Sequence, residues 1–219
     1  MVKAVIFDMD GVIIDSHKAA SQLLCESANA LGCGLTIQQI QTWGSLSSRQ
    51  FWAKVKEQFH LRQSVAELIG MYDVEREIAM YTEIGLIPGV RELLMDLSKH
   101  GLPAALATSA SRRRMNAVLE MFELHALFRH CVCDEDAAQS KPHPDIYLTA
   151  SRRLGVEPEE CIVFEDSFNG MTAAKRAGMS CVGYRGLDHV QEDLSECDWI
   201  IYDFREIDTA ALVGRFKSG

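Results

Sequence analysis

The chain begins with an apolar segment that ends in two carboxylates, and this segment constrains the fold more than any other. Residues 2–7 are mostly apolar and rich in β-branched and aromatic side chains, as in a strand buried on both faces in the middle of a parallel sheet. Asp8, Asp10 and Gly11 follow. Because ligands bind beyond the carboxyl ends of the strands in open α/β sheets, the two aspartates occupy a candidate binding position.

Two interpretations of Asp8 and Asp10 stand at this point. Two like charges this close repel each other unless a cation or a shared proton holds them, which favours a metal or catalytic site. The alternative is a strand that ends in a turn with solvated aspartates, because Asp-x-Asp-Gly is also common turn chemistry.

Length and charge limit the classes of protein to consider. The 219 residues are enough for one large domain or for one domain with an insertion, at ~150 residues per domain. Net charge is −9 and no long run of basic residues occurs, which argues against nucleic acid as the main partner. An anionic substrate would therefore need locally placed cations. The sequence carries no indication of oligomeric state.

Export and membrane insertion are not expected. The first three residues lead directly into the predicted strand and leave no room for a signal peptide, and no apolar run approaches the ~18 residues needed to span a membrane. The seven cysteines include no CxxC pair. Cys131, Cys161 and Cys181 lie in or beside apolar runs, where cysteine usually acts as a small core residue. We therefore expect a cytoplasmic protein without a membrane partner.

Residues 16–85 have the pattern of a helical insertion. Ser16 is a candidate N-cap for a first helix, which Gly32 and Gly34 end. No strand-like alternation occurs between residues 14 and 88. Further helical patterns cover 36–41, 47–59 and 64–81.

From residue 90 onward, helices alternate with short apolar strands. The pattern predicts strands at 103–107, 131–133, 161–164, 181–184 and 199–201, and helices at 90–99, 111–122, 144–154, 169–177 and 207–216. Strands separated by helices of this length imply right-handed βαβ units on a parallel sheet. The predicted fold class is therefore α/β, with residues 1–15 and 86–219 in one domain and residues 16–85 inserted.

Polar groups suited to phosphate follow two further strands. Thr108 and Ser109 end the second strand and open a helix, whose N-terminus could bind an anion, although a plain N-cap is the simpler interpretation. Glu165 and Asp166 end a later strand and form a second acidic pair. Lys141 lies in a stiff loop between serine and proline, just before another helix.

Together these strand ends provide carboxylates, hydroxyl groups and a lysine. Magnesium binding through one or two carboxylates and a phosphate oxygen requires such a set. Phosphoryl transfer requires it too, because positioning and charge neutralisation provide most of the catalysis. The combination is far more specific than any single member.

These motifs resemble those of a known superfamily. The order Asp8-Met9-Asp10-Gly11, Thr108-Ser109, Lys141-Pro142 and Glu165-Asp166 is similar to the four motifs of the haloacid dehalogenase-like (HAD) hydrolases. The strings at 140–145 and 164–167 resemble the branch that contains β-phosphoglucomutase and small sugar-phosphate phosphatases. The resemblance implies a Rossmann-like parallel-sheet core, with the helical block as an inserted C1-type cap that closes over the site and recognises the leaving group.

The resemblance also implies roles for the motif residues. Asp8 would be the nucleophile that forms an aspartyl-phosphate, and Asp10 the general acid and base. Mg²⁺ would bind Asp8, the main-chain carbonyl of Asp10, and Asp166, with Glu165 beside it or in an outer shell. The phosphoryl oxygens would be bound by Thr108, the Ser109 N–H and Lys141. Because dehalogenases and phosphonoacetaldehyde hydrolases lack the second aspartate, Asp10 favours phosphate esters.

The cap residues that resemble the family's specificity loop are Gly44, Ser47 and Arg49. Arg49 would bind a second phosphate or a carboxylate bidentately, or it would simply begin a helix in solvent. His17 and His60 are expected to be surface or packing residues rather than ligands.

We expect an Mg²⁺-dependent phosphohydrolase that cleaves a small phosphomonoester such as a sugar phosphate. The alternative is a phosphosugar mutase, but the position that corresponds to the mutase's cap histidine is Ala20. His17 lies three residues earlier and is not an obvious replacement. A non-catalytic phosphate-binding or signalling protein is the alternative of another class. The cap and the second aspartate argue against a signalling receiver.

Overall fold

The computed structural model describes residues 1–216, and it contains one parallel sheet. Within these residues six strands pair in the order β3-β2-β1-β4-β5-β6. Every strand pair is parallel. The strands are β1 (Ala4–Phe7), β2 (Ala104–Ala107), β3 (His130–Val132), β4 (Cys161–Glu165), β5 (Ser180–Tyr184) and β6 (Trp199–Ile201).

Ten α-helices accompany the sheet in the described part of the chain. The first five follow one another without an intervening strand, and the other five alternate with strands of the sheet. They are α1 (His17–Ala30), α2 (Ile37–Gln41), α3 (Ser48–Phe59), α4 (Val65–Gly70), α5 (Val74–Met80), α6 (Val90–Lys99), α7 (Arg112–Met121), α8 (Asp145–Leu154), α9 (Phe168–Arg176) and α10 (Thr209–Arg215).

The chain divides into two compact units. One unit contains Met1–Asp15 together with the chain from Gly85 onward, and the other contains Ser16–Ile84. The first unit holds the whole sheet, and the second holds α1 to α5. The predicted α/β class, with a parallel-sheet core and an inserted helical domain, is confirmed.

The order of the strands places the predicted motifs at one edge of the sheet. β1 lies between β2 and β4, and Phe7 is in register with Leu106 on one side and Phe164 on the other. All residues of these three strands are buried, which explains their continuous apolar sequence. Because the strands are parallel, the residues that follow each of them emerge at the same edge.

The helical unit has its own hydrophobic core. Trp52, Phe51 and Val55 on one face of α3 are buried with Leu68 of α4 and Ile40 of α2. The rings of Phe51 and Trp52 pack edge to face with centroids 5.2 Å apart. No helix in the described residues is long and apolar enough to cross a membrane.

The predicted helix over 64–81 is wrong, since the structure contains two helices there. α4 ends at Gly70, and α5 begins after Asp73, whose side chain accepts a hydrogen bond from the Arg76 N–H at 3.0 Å. Asp73 is an N-cap that interrupts the helical periodicity. Ser16 does precede α1, but its side chain makes no N-cap hydrogen bond. Most other predicted elements shift by one or two residues at their ends.

Asn29 near the end of α1 provides a test of the helical unit. Its side-chain amide donates to the Leu35 carbonyl at 2.8 Å, and its side-chain oxygen accepts from the Leu35 N–H at 2.7 Å. Asn29→Ala leaves the Leu35 N–H without this partner and leaves the Leu35 carbonyl with only the weaker Cys25 Sγ donor at 3.2 Å. We therefore expect it to lower the free energy of unfolding by about 2 kcal/mol in urea denaturation.

The matched control is Gln22→Ala on the same helix. Gln22 makes an exposed hydrogen bond to Glu26 one turn away, so its removal should change the free energy of unfolding by less than about 0.5 kcal/mol. Equal effects of the two substitutions would show that Asn29 does not stabilise the loop after α1.

Candidate active site

Asp8 is the first residue after β1, and it is buried at the edge where the strands end. Asp8 is 6% exposed. The Asp8 N–H donates to the Phe164 carbonyl at 3.0 Å, which extends the pairing of β1 with β4 by one step. The chain then forms a tight turn, which is closed by a hydrogen bond from the Ile13 N–H to the Met9 carbonyl at 2.8 Å. Gly11 has a φ of 82° within this turn, a conformation that favours glycine.

Lys141 joins the first motif to the last. Its Nζ donates to Asp8 Oδ1 at 2.5 Å and to Glu165 Oε1 at 2.6 Å. The lysine is 6% exposed. A buried ammonium group requires paired carboxylates, because burial removes its hydration. The structure therefore brings together three residues that are far apart in the sequence and that the motif analysis selected.

Glu165 is surrounded by donors. Besides Lys141, the Tyr147 hydroxyl donates to its Oε1 at 2.6 Å. Its Oε2 accepts from the Asp166 N–H at 3.0 Å, from the Ser167 N–H at 3.1 Å and from the Ser167 hydroxyl at 2.9 Å. These five hydrogen bonds occupy the lone pairs of the carboxylate. Glu165 is thus suited to positioning Lys141 rather than to direct contact with a metal.

The charges around Asp8 do not balance. Burial raises the pKa of Asp8 well above its usual range, and the attraction of Lys141 opposes that rise. Repulsion from three neighbouring carboxylates adds to it, namely Glu165, Asp10 and Asp166. Although burial alone would raise the pKa of Glu165, the charge of Lys141 lowers it. The site therefore has an excess of negative charge.

Thr108 and Ser109 lie between β2 and α7, as predicted. Thr108 is fully buried, and its hydroxyl accepts a hydrogen bond from the Ala110 N–H at 3.0 Å. Ser109 is half-buried. The N-cap of α7 is Ser111, whose side chain accepts from the Arg114 N–H at 3.4 Å. The simple N-cap role thus belongs to Ser111, not to Thr108 or Ser109.

Two side chains in the site, Arg114 and Tyr147, were not predicted from the sequence. Arg114 donates from a terminal guanidinium nitrogen to Asp10 Oδ1 at 2.7 Å. Tyr147 on α8 binds Glu165, and its ring lies 4.7 Å from Lys141 Nζ. Arg114 stands in a visible run of three arginines, but nothing in the sequence indicates that only the third reaches Asp10. Tyr147 looks in the sequence like an ordinary core residue of a helix, so nothing there indicates its contact with Glu165.

The donor set at this edge fits a hard divalent cation. Asp8 and Asp166 follow the adjacent strands β1 and β4, and both are buried. Mg²⁺ takes oxygen ligands and usually keeps several waters, with only one or two protein carboxylates. In the part of the chain that the structure describes, no group of three or more His, Cys, Asp or Glu side chains is placed to hold a metal. Asp8 and Asp166 provide two carboxylates, which is the number that such a site needs.

The three predicted cap residues lie in the helical unit. Gly44 has a φ of 69° in the loop before α3. Ser47 is the N-cap of α3, and its side chain accepts from the Gln50 N–H at 3.3 Å in a capping box. Arg49 is an exposed residue in the first turn of that helix. The structure thus gives Ser47 a structural role within its own unit.

Comparison with known proteins gives consistent matches. A family model described as haloacid dehalogenase-like hydrolase matches residues 2–178. Hexitol phosphatase B of Escherichia coli (strain K12) is 32% identical over 194 residues, which cover 83% of this chain and 82% of that protein.

Two solved structures share the fold. A CbbY variant from Rhodobacter sphaeroides in complex with xylulose-(1,5)bisphosphate gives a TM-score of 0.83 at 26% identity, covering 97% of this chain and 99% of that chain. β-Phosphoglucomutase from Clostridium difficile gives a TM-score of 0.85 at 21% identity and covers 99% of this chain and 97% of that chain. The second likeness shows the fold alone.

Gly170 tests how tightly Glu165 is packed. A Cβ atom at Gly170 on α9 would lie 1.6 Å from Glu165 Oε1. Gly170→Ala should therefore displace the Glu165 carboxylate and lower the free energy of unfolding by about 2 kcal/mol, measured by urea denaturation at neutral pH.

The control for this prediction is Gly214→Ala in α10. A Cβ atom at Gly214 would meet nothing within 4 Å among the described residues 1–216, so alanine should stabilise that helix by about 0.5–1 kcal/mol. A Gly170→Ala protein as stable as wild type would show that Glu165 does not require the close approach of α9.

Proposed function

This chain belongs to the haloacid dehalogenase-like hydrolase family, and we propose that it is a phosphatase that cleaves small phosphomonoesters through an aspartyl-phosphate. The observation that carries the proposal is the buried pair of Asp8 and Lys141, joined at 2.5 Å at the end of the central strand. A carboxylate held at a sheet edge beside a buried cation is suited to attack an anionic phosphorus centre.

The first half of the proposed reaction forms a bond between Asp8 and phosphorus. A carboxylate oxygen of Asp8 attacks the phosphorus in line with the ester oxygen, and the phosphorus–oxygen bond of the ester breaks. Asp10 donates its proton to the departing alcohol oxygen. Lys141 partly neutralises the charge of the transferring group, and the turn from residue 8 to residue 14 fixes the two aspartates relative to each other.

The second half releases phosphate. Asp10, now a carboxylate, accepts a proton from a water molecule that attacks the phosphorus of the aspartyl-phosphate. The bond between phosphorus and the Asp8 oxygen breaks, so that Asp8 returns to its first state. One residue thus acts first as the general acid and then as the general base.

The phosphoryl oxygens would be bound by groups around α7 and the loop before α8. Thr108 and the Ser109 N–H lie just ahead of the N-terminal turn of α7, where peptide N–H groups attract anions. Lys141 supplies the positive charge. Because positioning and charge neutralisation provide most of the catalysis in phosphoryl transfer, these contacts carry much of the proposed rate enhancement.

We propose Mg²⁺ as the cofactor, held by Asp8, Asp166 and the main-chain carbonyl of Asp10. When bound, it would neutralise the repulsion between the carboxylates and the phosphate dianion. The excess of negative charge that raises the pKa of Asp8 supports this assignment. Glu165 would stay outside direct coordination, because its oxygens accept hydrogen bonds from the protein.

The proposed substrate class is a small phosphorylated sugar or a similar metabolite. Hexitol phosphatase B by its name acts on a phosphorylated hexitol, and the related CbbY structure holds a sugar bisphosphate. We further propose that the helical unit recognises the leaving group through the loop that contains Gly44, Ser47 and Arg49. All seven cysteines are free thiols, which suits the proposed cytoplasmic location.

The first test measures phosphate release from a panel of sugar phosphates, nucleotides and 4-nitrophenyl phosphate. We expect release that EDTA abolishes and that added Mg²⁺ restores. Asp8→Asn keeps the shape of the side chain but removes the nucleophile, so kcat should fall by at least about 10⁴-fold. Glu159→Gln, an exposed change at the amino end of β4, is the control and should retain full activity.

The same assay separates the alternatives. Isomerisation of β-glucose 1-phosphate in the presence of trace bisphosphate, without net phosphate release, would identify a mutase. If the wild-type protein shows neither activity, the result would indicate a protein that only binds phosphorylated ligands. Full activity of Asp8→Asn would exclude Asp8 as the nucleophile.

A second test addresses Arg49. If its guanidinium binds a second anionic group of the substrate, Arg49→Ala should raise KM for a sugar bisphosphate by about tenfold. KM for 4-nitrophenyl phosphate, which has no second anion, should stay within about twofold of wild type. Arg62→Ala, an exposed arginine of the same unit, is the control. Equal changes for both substrates would contradict the second-anion role.

A further inference from the structure

The first turn of α7 carries three arginines, which is an unfavourable position for positive charge. Arg112, Arg113 and Arg114 begin the helix, and no acidic residue lies in that turn. Cations are destabilising at a helix N-terminus, because the exposed peptide N–H groups already carry partial positive charge. An anion from elsewhere in the fold therefore stabilises an arginine in this turn.

The first and third arginines reach different anions. Arg112 pairs with Asp136 at 2.9 Å, and its main-chain N–H donates to Glu135. Arg114 crosses to the turn after β1 and donates to Asp10 Oδ1 at 2.7 Å. The Arg114 side chain is 14% exposed and that of Asp10 is 25% exposed. The ion pair between Arg114 and Asp10 is thus better shielded from water than an ordinary surface ion pair.

We propose that Arg114 is a positioning residue for Asp10, one that orients the carboxyl group for proton transfer to the departing alcohol. This inference rests on the proposed phosphatase function. A guanidinium group is planar and presents its N–H donors in a fixed fork, so it fixes the orientation of a carboxyl group that it binds. The main-chain N–H of Arg114 is in turn bonded to the Ser111 side chain, which anchors the arginine beside the predicted phosphate loop.

The geometry links the general acid to the element that would bind phosphate. Thr108 and Ser109 precede α7, and Arg114 stands in its first turn. A general acid contributes fully only when its proton points at the ester oxygen, since proton transfer requires hydrogen-bond geometry. By holding Asp10 from the same helix end, Arg114 sets the acid in a fixed relation to the phosphoryl group.

The arginine also reduces repulsion within the site. Asp10 raises the pKa of Asp8 through its negative charge, so the two carboxylates oppose each other. Arg114 is the counter-ion of the Asp10 carboxylate that is left once the proton has been donated, and Lys141 is the counter-ion of Asp8. Each aspartate of the first motif is therefore held by a separate cation.

The test uses substituted phenyl phosphates, whose leaving groups are alike in size but differ in pKa. Proton donation matters little for a good leaving group and greatly for a poor one. For Arg114→Gln we expect kcat/KM to fall by at most about twofold with 4-nitrophenyl phosphate and by about tenfold or more with phenyl phosphate. Because kcat/KM reports only steps up to formation of the aspartyl-phosphate, release of phosphate does not enter the comparison.

Two further variants complete the design. Arg113→Gln makes the same change at the exposed neighbour and should leave kcat/KM unchanged for every ester. Arg114→Lys keeps the charge without the fork, and it should restore only part of the loss with phenyl phosphate. Thermal unfolding of each variant establishes that it is folded.

The outcomes are distinct. A loss by the same factor for all phenyl phosphates, or no loss, would overturn the role of Arg114 while leaving the phosphatase intact. A larger loss with poorer leaving groups supports it, since a purely structural defect would not depend on the leaving group. If the wild-type protein releases no phosphate in the presence of Mg²⁺, the proposed function fails and this inference fails with it.

Discussion

The candidate site depends on one buried ammonium group. Lys141 lies between Asp8 and Glu165 at 2.5 Å and 2.6 Å, and all three side chains are buried. In such surroundings an unpaired charge is strongly unfavourable, so each member of the cluster requires the others. Three segments far apart in the sequence are joined by this contact: the end of β1, the loop before α8 and the end of β4.

Glu165 makes the arrangement specific. Its two oxygens accept from Lys141, from the Tyr147 hydroxyl and from the turn that opens α9. The close approach of α9 is possible because Gly170 has no side chain. A fully satisfied polar network of this kind is rigid, because every displacement breaks several hydrogen bonds at once. It therefore fixes Lys141 relative to Asp8.

The charges of the site are consistent with phosphate chemistry. Four carboxylates gather at one edge of the sheet, and two cations, Lys141 and Arg114, bind three of them directly. The remaining negative charge suits a divalent metal, and the metal together with Lys141 suits a phosphate dianion. Under the proposed function, a chain with a net charge of −9 would bind an anionic substrate through a few well-placed cations.

The sequence determined the parallel sheet, the helical insertion and the strand-end position of Asp8, Thr108 and Asp166. These follow from local periodicity and from the rule that parallel strands end at one edge. It did not indicate the helix break before Asp73, since capping by a single side chain competes with a continuing apolar pattern. Only the tertiary structure decided that Tyr147 and Lys141 share Glu165, and that Arg114 rather than its neighbours reaches Asp10. Such contacts join side chains over 100 residues apart in one case, and their geometry depends on packing that no local pattern contains.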